Sequence, residues 1–135
     1  MSRTVVIAVD GTAASGKGTL ARRMATDLGY AYLDSGLLYR SVALSLLDGG
    51  ENPADTEAAV RAALKLDPDN TDFLNPVLRD EETGQAAGII AAKPEVRDVL
   101  IGVQRRFADN PPNGALGVVI DGRDIGTVIC PSADY

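Results

Sequence analysis

Apolar residues along this chain alternate between two periods. Thr4-Val-Val-Ile-Ala-Val9 is an unbroken, largely β-branched run, the pattern of a strand buried on both faces of a parallel sheet. A glycine-rich stretch, Gly11 to Gly18, follows at once. From Lys17 to Leu28 the spacing lengthens. Leu20, Met24 and Leu28 recur every fourth residue, which predicts a helix, and Gly29 is a suitable stop for it. Tyr30-Ala-Tyr-Leu33 reads as a second, short strand, and Asp34-Ser35 as the N-cap signal of a helix running to about Leu47, closed by Gly49-Gly50. The middle is less regular: a short helix from Thr56 to Lys65, then LDPDNTDFLNP, a turn or loop on its prolines and Asp/Asn residues. An Ala-rich helical stretch follows from Asp80 to Ala92. Pro94 opens another helix, in which Val96, Val99, Leu100, Val103 and Phe107 form one buried stripe. After the loop ADNPPNG, Leu116-Gly-Val-Val-Ile120 is a third buried strand, ending in DGRD.

Strand, helix, strand, helices, strand is the alternation of a parallel α/β sheet with right-handed crossovers, whose ligands bind at the carboxyl ends of the strands. All three polar signatures fall there: the glycine loop after the first strand, DSGLLYR after the second, DGRD after the third. At 135 residues, 45% of them hydrophobic, the chain is expected to form a single domain, 1–135. Its 13 basic and 19 acidic side chains leave a net charge of −6, which argues against a nucleic-acid partner. A small anion held by a few placed arginines stays open. Cys130 is the only cysteine and there is no histidine. An internal disulfide, a Cys/His zinc cluster and Ser-His-Asp or Cys-His catalysis are therefore excluded, and Cys130 is expected in the core rather than as a reactive thiol. The apolar run Thr4 to Val9 is too short for a signal sequence or a membrane span, so a cytoplasmic location without membrane contact is expected.

Residues 10 to 20, DGTAASGKGTL, contain G-x-x-x-x-G-K. A phosphate-cradling loop normally continues with Ser or Thr, whose hydroxyl reaches magnesium. Here Gly18 stands in that place and the hydroxyl comes one residue later, at Thr19. The pattern recurs by chance, but its position between a buried strand and a helix N-terminus offers unpaired N–H groups and a positive dipole end to phosphate. Gly11, Thr12, Ala13, Ala14, Ser15, Gly16, Lys17, Gly18 and Thr19 are the expected cradle for the phosphates of a bound nucleotide. Lys17 would reach the β and γ groups and Thr19 the α-phosphate. Mg2+ would be held by phosphate oxygens, water and an acid elsewhere. Arg40, taken alone, reads as a solvated helix charge or as a bidentate phosphate ligand.

Four stretches, DGTAASGKGTLARRMA, YAYLDSGLLYRSVAL, AAKPEVRDVLIGVQRRFA and DGRDIGTVICP, together resemble the bacterial cytidylate kinases, in the nucleoside monophosphate kinase group of P-loop proteins. The resemblance implies a P-loop kinase fold, a parallel sheet flanked by helices, with a helical acceptor-nucleotide-binding region at about residues 35–110. It implies ATP-dependent phosphorylation of CMP or dCMP by a protein that is monomeric at full length. Matched residue by residue, Ser35, Tyr39 and Arg40 look like acceptor-site residues, with Arg40 on the CMP phosphate and Arg123 as the second phosphate arginine. Lys17, Arg40 and Arg123 are thus the implied catalytic set. Asp124 resembles an acceptor for the cytosine amino group and Arg97 another base-contacting residue. Asp121 is placed like a metal-side acid acting through water, or else makes a structural bond to the loop. Arg79 matches a family arginine whose role is left open.

The chain departs from the family pattern at Gly88, where a serine touching cytosine is usual, and at Thr83, where an apolar residue is usual. The first departure implies weaker cytosine discrimination. The region 66–78 is also short. Family members are longer, with five strands of which three are present here, so the chain reads as truncated at PSADY, without the lid arginines. Loss of the neighbouring fourth strand would leave Thr4 to Val9 as an exposed β-branched edge prone to aggregation. Three readings stay open: a CMP kinase with a shortened chain, a kinase for another nucleoside monophosphate, and a noncatalytic fragment that binds phosphate.

Overall fold

The computed structural model describes residues 4–11, 17–123, 125–131 and 133–135, with backbone alone at Lys17, Thr127 and Val128. Three strands, β1 (Val5–Asp10), β2 (Ala31–Asp34) and β3 (Gly117–Gly122), form a parallel sheet in the order β1-β3-β2. The last strand in sequence is therefore the central one. Ile7 pairs with Val119, Tyr32 with Val119, and Asp34 with Asp121. All six residues of β3 are buried, as its continuous apolar run requires of a strand covered on both faces.

The helices are α1 (Lys17–Leu28), α2 (Ser35–Asp48), α3 (Thr56–Lys65), α4 (Glu81–Ala91) and α5 (Pro94–Asp109). The chain divides into two compact units, Met1–Ser35 with Gln104–Tyr135, and Gly36–Val103. In the first, Ala21 and Ala25 of α1 pack with Ile7 and Val119, ringed by Val5, Val9, Met24, Tyr30 and Tyr32. Of the four-residue row that marks α1 in the sequence, only Met24 packs at the edge of this cluster; Leu20 and Leu28 are exposed. Small alanines let the helix backbone approach the sheet, which leaves the longer leucines, about 100° round the helix, on its flank.

The outer edge of β1 is not bare, contrary to the expectation above. The Ala8 N–H donates to Tyr135 O at 2.9 Å, the Asp134 N–H donates to Val6 O at 2.9 Å, and the Asp134 carboxylate accepts from Val6 N–H at 2.9 Å. Residues 134–135 thus run along β1 with parallel-strand bonding, and a charge stands on the edge, the arrangement that blunts edge-to-edge pairing.

The second unit is helical. Leu38, Val42, Leu46, Ile90, Val96 and Leu100 are its most deeply buried aliphatics. The segment read as loop, 66–76, holds a 3-10 turn, Pro68–Asn70, and leads into another, Pro76–Arg79. Each is opened by an Asx side chain, Asp67 accepting from Asp69 N–H and Asn75 from Val77 N–H, with proline in the first turn. Thr83 is buried, and its hydroxyl donates to Val77 O at 3.0 Å. A buried hydroxyl is tolerated here because that turn carbonyl satisfies it. Cys130 is buried, and burial pushes its thiol up. It follows a single π turn, Ile125–Ile129.

Candidate functional site

Because the three strands are parallel, their carboxyl ends lie on one side of the sheet. Val9, Asp121 and Asp34 stand abreast in the register, and the Gly11 N–H bonds Gly122 O at 3.1 Å. Asp121 is fully buried, and its carboxylate accepts the Tyr32 hydroxyl proton. A β-carbon at Gly18, in the first turn of α1, would lie 3.9 Å from Asp121 Oδ2. The one carboxylate on the central strand therefore stands at contact distance from the residue that lacks a hydroxyl. Thr12, Ala13, Ala14, Ser15, Gly16 and the Lys17 side chain, and also Asp124, lie outside the described residues. Of the other expected cradle residues, Gly11 directly follows β1 and Thr19 is exposed on α1.

Tyr32 is held above its ordinary pKa of 10.0, chiefly by burial, then by the bond to Asp121 and the charges of Asp121 and Asp34. Arg22, whose guanidinium carbon lies 5.8 Å from the ring centroid, acts in the opposite direction. A folded-state pKa raised above the unfolded one means that the protonated phenol stabilises the fold. That contribution is complete below pH 10.0 and is lost as pH rises from there toward the folded-state value. Denaturation midpoints of the wild type should thus fall more steeply above pH 10 than those of Tyr32→Phe, which should be less stable at pH 7 by about 1–3 kcal/mol. Parallel alkaline profiles for the two proteins would show that the phenol is not so held.

The turn after β3 is anchored by Asp10, whose carboxylate accepts from the N–H groups of Ile125 and Gly126, the latter at 3.0 Å. Arg105 Nε–H donates to Ile129 O at 2.9 Å at the other end of that π turn. Ser35 is buried against Gly122, and Arg123 is exposed directly after β3. Among the described residues no group of three or more His, Cys, Asp or Glu side chains could hold a metal by themselves. One buried carboxylate beside the first turn of α1 instead suits a hard cation that takes most of its ligands from other oxygen donors.

In the helical unit, Tyr39 and Arg40 are half-buried on α2 and Arg97 is exposed on α5. Burial holds the Tyr39 phenol above its ordinary pKa of 10.0, with the Arg97 charge acting in the opposite direction. Arg40 Nη1 donates to Leu78 O at 2.8 Å, and its guanidinium lies against Gly84 of α4. Arg79 is exposed at the end of its 3-10 turn. Gly88 has nothing within 4 Å of where a β-carbon would stand, so a side chain there would meet open space.

The sequence reading singled out Asp121, Ser35, Tyr39, Arg40, Arg97 and Arg123, but not Tyr32, Asp10 or Gly84. Tyr32 and Asp121 are 89 positions apart and Asp10 and Ile125 are 115 apart. No local spacing announces such pairs.

The family model described as "Cytidylate kinase" matches residues 7–135. Curated proteins named "Cytidylate kinase" from Rhodospirillum rubrum, Bradyrhizobium diazoefficiens and Paramagnetospirillum magneticum are 53%, 52% and 54% identical over 130 residues, which is 96% of this chain and 60%, 58% and 60% of those proteins. The chain thus spans about 60% of the length of the curated relatives it matches. No helix among the described residues is long and apolar enough to cross a membrane.

Proposed function

The chain belongs to the cytidylate kinase family, and on that premise we propose that the protein transfers the γ-phosphoryl group of ATP to CMP or dCMP, yielding ADP and CDP or dCDP. An acceptor phosphate oxygen forms the new bond to the γ-phosphorus as the bond to the β,γ-bridging oxygen breaks. Such transfer asks the protein mainly to position two anions and to neutralise charge, which a glycine loop and arginines accomplish without a side-chain nucleophile. That requirement suits a chain with no histidine.

The observation that carries the reading is the placement of Asp121, buried at the end of the central strand and 3.9 Å from the β-carbon position of Gly18. A loop with glycine in the usual hydroxyl position needs an acid from elsewhere, and this carboxylate supplies it. Magnesium, when bound with ATP, would neutralise charge on the phosphate oxygens; Asp121 would hold it through water, with the Tyr32 hydroxyl orienting the carboxylate. Residues 11–19 cradle the donor phosphates, with Lys17 on the β and γ groups. Arg40 takes the acceptor phosphate and Arg123 is the second arginine for it. A guanidinium fork offers an acceptor phosphate two parallel donors, which an ammonium does not. Ser35, Tyr39, Arg97 and Asp124 are assigned to the acceptor nucleotide. A carboxylate at 124 accepts from the cytosine amino group and meets only an acceptor oxygen in uracil. The helical stretch of about residues 35–110 is assigned to acceptor binding, and we place the protein in the cytoplasm as a monomer acting on small molecules.

An ADP-release assay on the full-length protein, with ATP and magnesium and each of CMP, dCMP, UMP and AMP as acceptor, tests the proposal. Turnover with CMP and dCMP well above that with UMP and AMP is expected. No CMP-dependent ADP release, or faster release with another acceptor, would overturn it.

A further inference from the structure

We propose that Gly84, together with the carbonyl of Leu78, is a positioning element for the Arg40 guanidinium, and that the missing side chain at 84 sets how tightly the acceptor phosphate is held. The proposal rests on the reading that Arg40 binds that phosphate. Gly84 lies inside α4, where glycine is a poor helix former, so its own helix gives no local reason for it. The reason lies across the fold. A β-carbon at 84 would stand 3.0 Å from Arg40 Nη2, 3.2 Å from Nη1 and 3.3 Å from Cζ. Both terminal nitrogens and Cζ stand within contact of that position, Nη2 nearest, so the Nη end of the guanidinium lies against the helix at this residue. Gly88, one turn further on, faces open space, so closeness is particular to 84 and not a property of the whole helix.

The second half of the seat is Leu78 O, which accepts from Nη1 at 2.8 Å. That carbonyl belongs to the 3-10 turn Pro76–Arg79, which is itself held in place: Thr83 donates to Val77 O at 3.0 Å, Asp80 N–H to Val77 O at 3.1 Å, and Leu78 N–H to Asn75 O at 3.1 Å. Leu78 is buried. One N–H of the fork is thus fixed by a braced carbonyl while the Nη end of the group lies against a bare α-carbon. A guanidinium held this way keeps its remaining donors in one orientation before any anion arrives, so less rotamer entropy is lost on binding. A methyl group at 84 would push the guanidinium away by a few tenths of an ångström. The Leu78 bond would then have to lengthen or the side chain change rotamer.

This makes a split that a purely structural role would not produce. Gly84→Ala should leave the melting temperature unchanged or raise it, because alanine is the better helix former, and Gly88→Ala reports the gain from helix propensity alone. In the full-length protein Gly84→Ala should raise KM for CMP by about tenfold, the loss of one well-aligned charged hydrogen bond, with KM for ATP little changed. The 15N-edited NMR signal of Arg40 Nε–H should shift in Gly84→Ala and not in Gly88→Ala. In an Arg40→Met background, Gly84→Ala should have no further effect on KM for CMP. If Arg40→Met raises KM for CMP but Gly84→Ala does not, or if the effect of Gly84→Ala persists in the Arg40→Met background, the positioning role is wrong while the phosphate role of Arg40 stands. If Arg40→Met leaves KM for CMP unchanged, the reading of Arg40 fails, and the role of Gly84 with it.

Discussion

On the proposed acceptor role of Arg40, Arg40→Met should lower kcat/KM for CMP by about two to three orders of magnitude in the full-length protein, the size expected when a positioned cationic donor to a reacting phosphoryl system is removed. Methionine keeps much of the length and apolar surface of the arginine stem but has no charge and no N–H. The loss therefore reports phosphate recognition more than packing. It also leaves Leu78 O without the donor it has at 2.8 Å, a stability cost of about 1 kcal/mol that a melting curve will register separately. Arg40→Lys should restore only part of the rate, because a point charge cannot present the same fork. Steady-state kinetics over CMP at saturating ATP decide the matter. A kcat/KM for Arg40→Met within about threefold of wild type, under 1 kcal/mol of transition-state stabilisation, would remove Arg40 from the acceptor site.

Gly122→Ala is the second large effect, and here the loss is in stability. Gly122 closes β3, buried between the other two strands, and a β-carbon on it would stand 2.7 Å from Ser35 Cβ and 3.1 Å from Ile125 Cδ1. Neither neighbour moves away cheaply. Ser35 is the buried first residue of α2, and Ile125, fully buried, starts the π turn that Asp10 anchors. A clash between groups fixed on both sides is relieved by backbone shifts, so about 2–3 kcal/mol of stability should be lost. That loss is read as a lower urea midpoint at unchanged slope. Gly117→Ala makes the contrasting case on the same strand: its β-carbon would meet the Tyr30 ring at 2.7–2.8 Å, but Tyr30 is half-exposed and its side chain can swing aside. Equal urea midpoints for Gly122→Ala and wild type would show that the Ser35 approach is not rigid.

Both predictions concern residues that could be found in the sequence for one reason and are explained in the structure by another. Arg40 stands out because DSGLLYR matches the cytidylate kinase pattern, yet nothing in that motif says that its guanidinium rests on residue 84. Gly122 sits inside DGRD, a signature read for its arginine and its acids. The glycine is there because Ser35, 87 positions earlier, comes within contact distance of it. Thr83 was seen as a departure from an apolar position, and the Val77 carbonyl accounts for it. On α1, the two leucines that help reveal the helix are exposed, because side-chain period locates a helix but alanine's small size decided which row could press against the sheet.

The strand ends were the most legible part. β-Branched runs stop where glycine and aspartate begin, so the sequence by itself determined which segments are strands, that their connections demand a parallel sheet, and that the polar motifs lie at the carboxyl ends. These are consequences of local propensity and period, which act over a few residues. Tertiary structure alone decided that β3 lies between β1 and β2, that residues 134–135 run along the open edge of β1, and that Asp121 meets both Tyr32 and the first turn of α1. It likewise decided that Arg40 is seated by a carbonyl and a bare α-carbon. Each of these joins residues tens of positions apart. Such pairings are selected by burial and by the need to satisfy buried polar groups, and those constraints exist only once the chain has closed on itself.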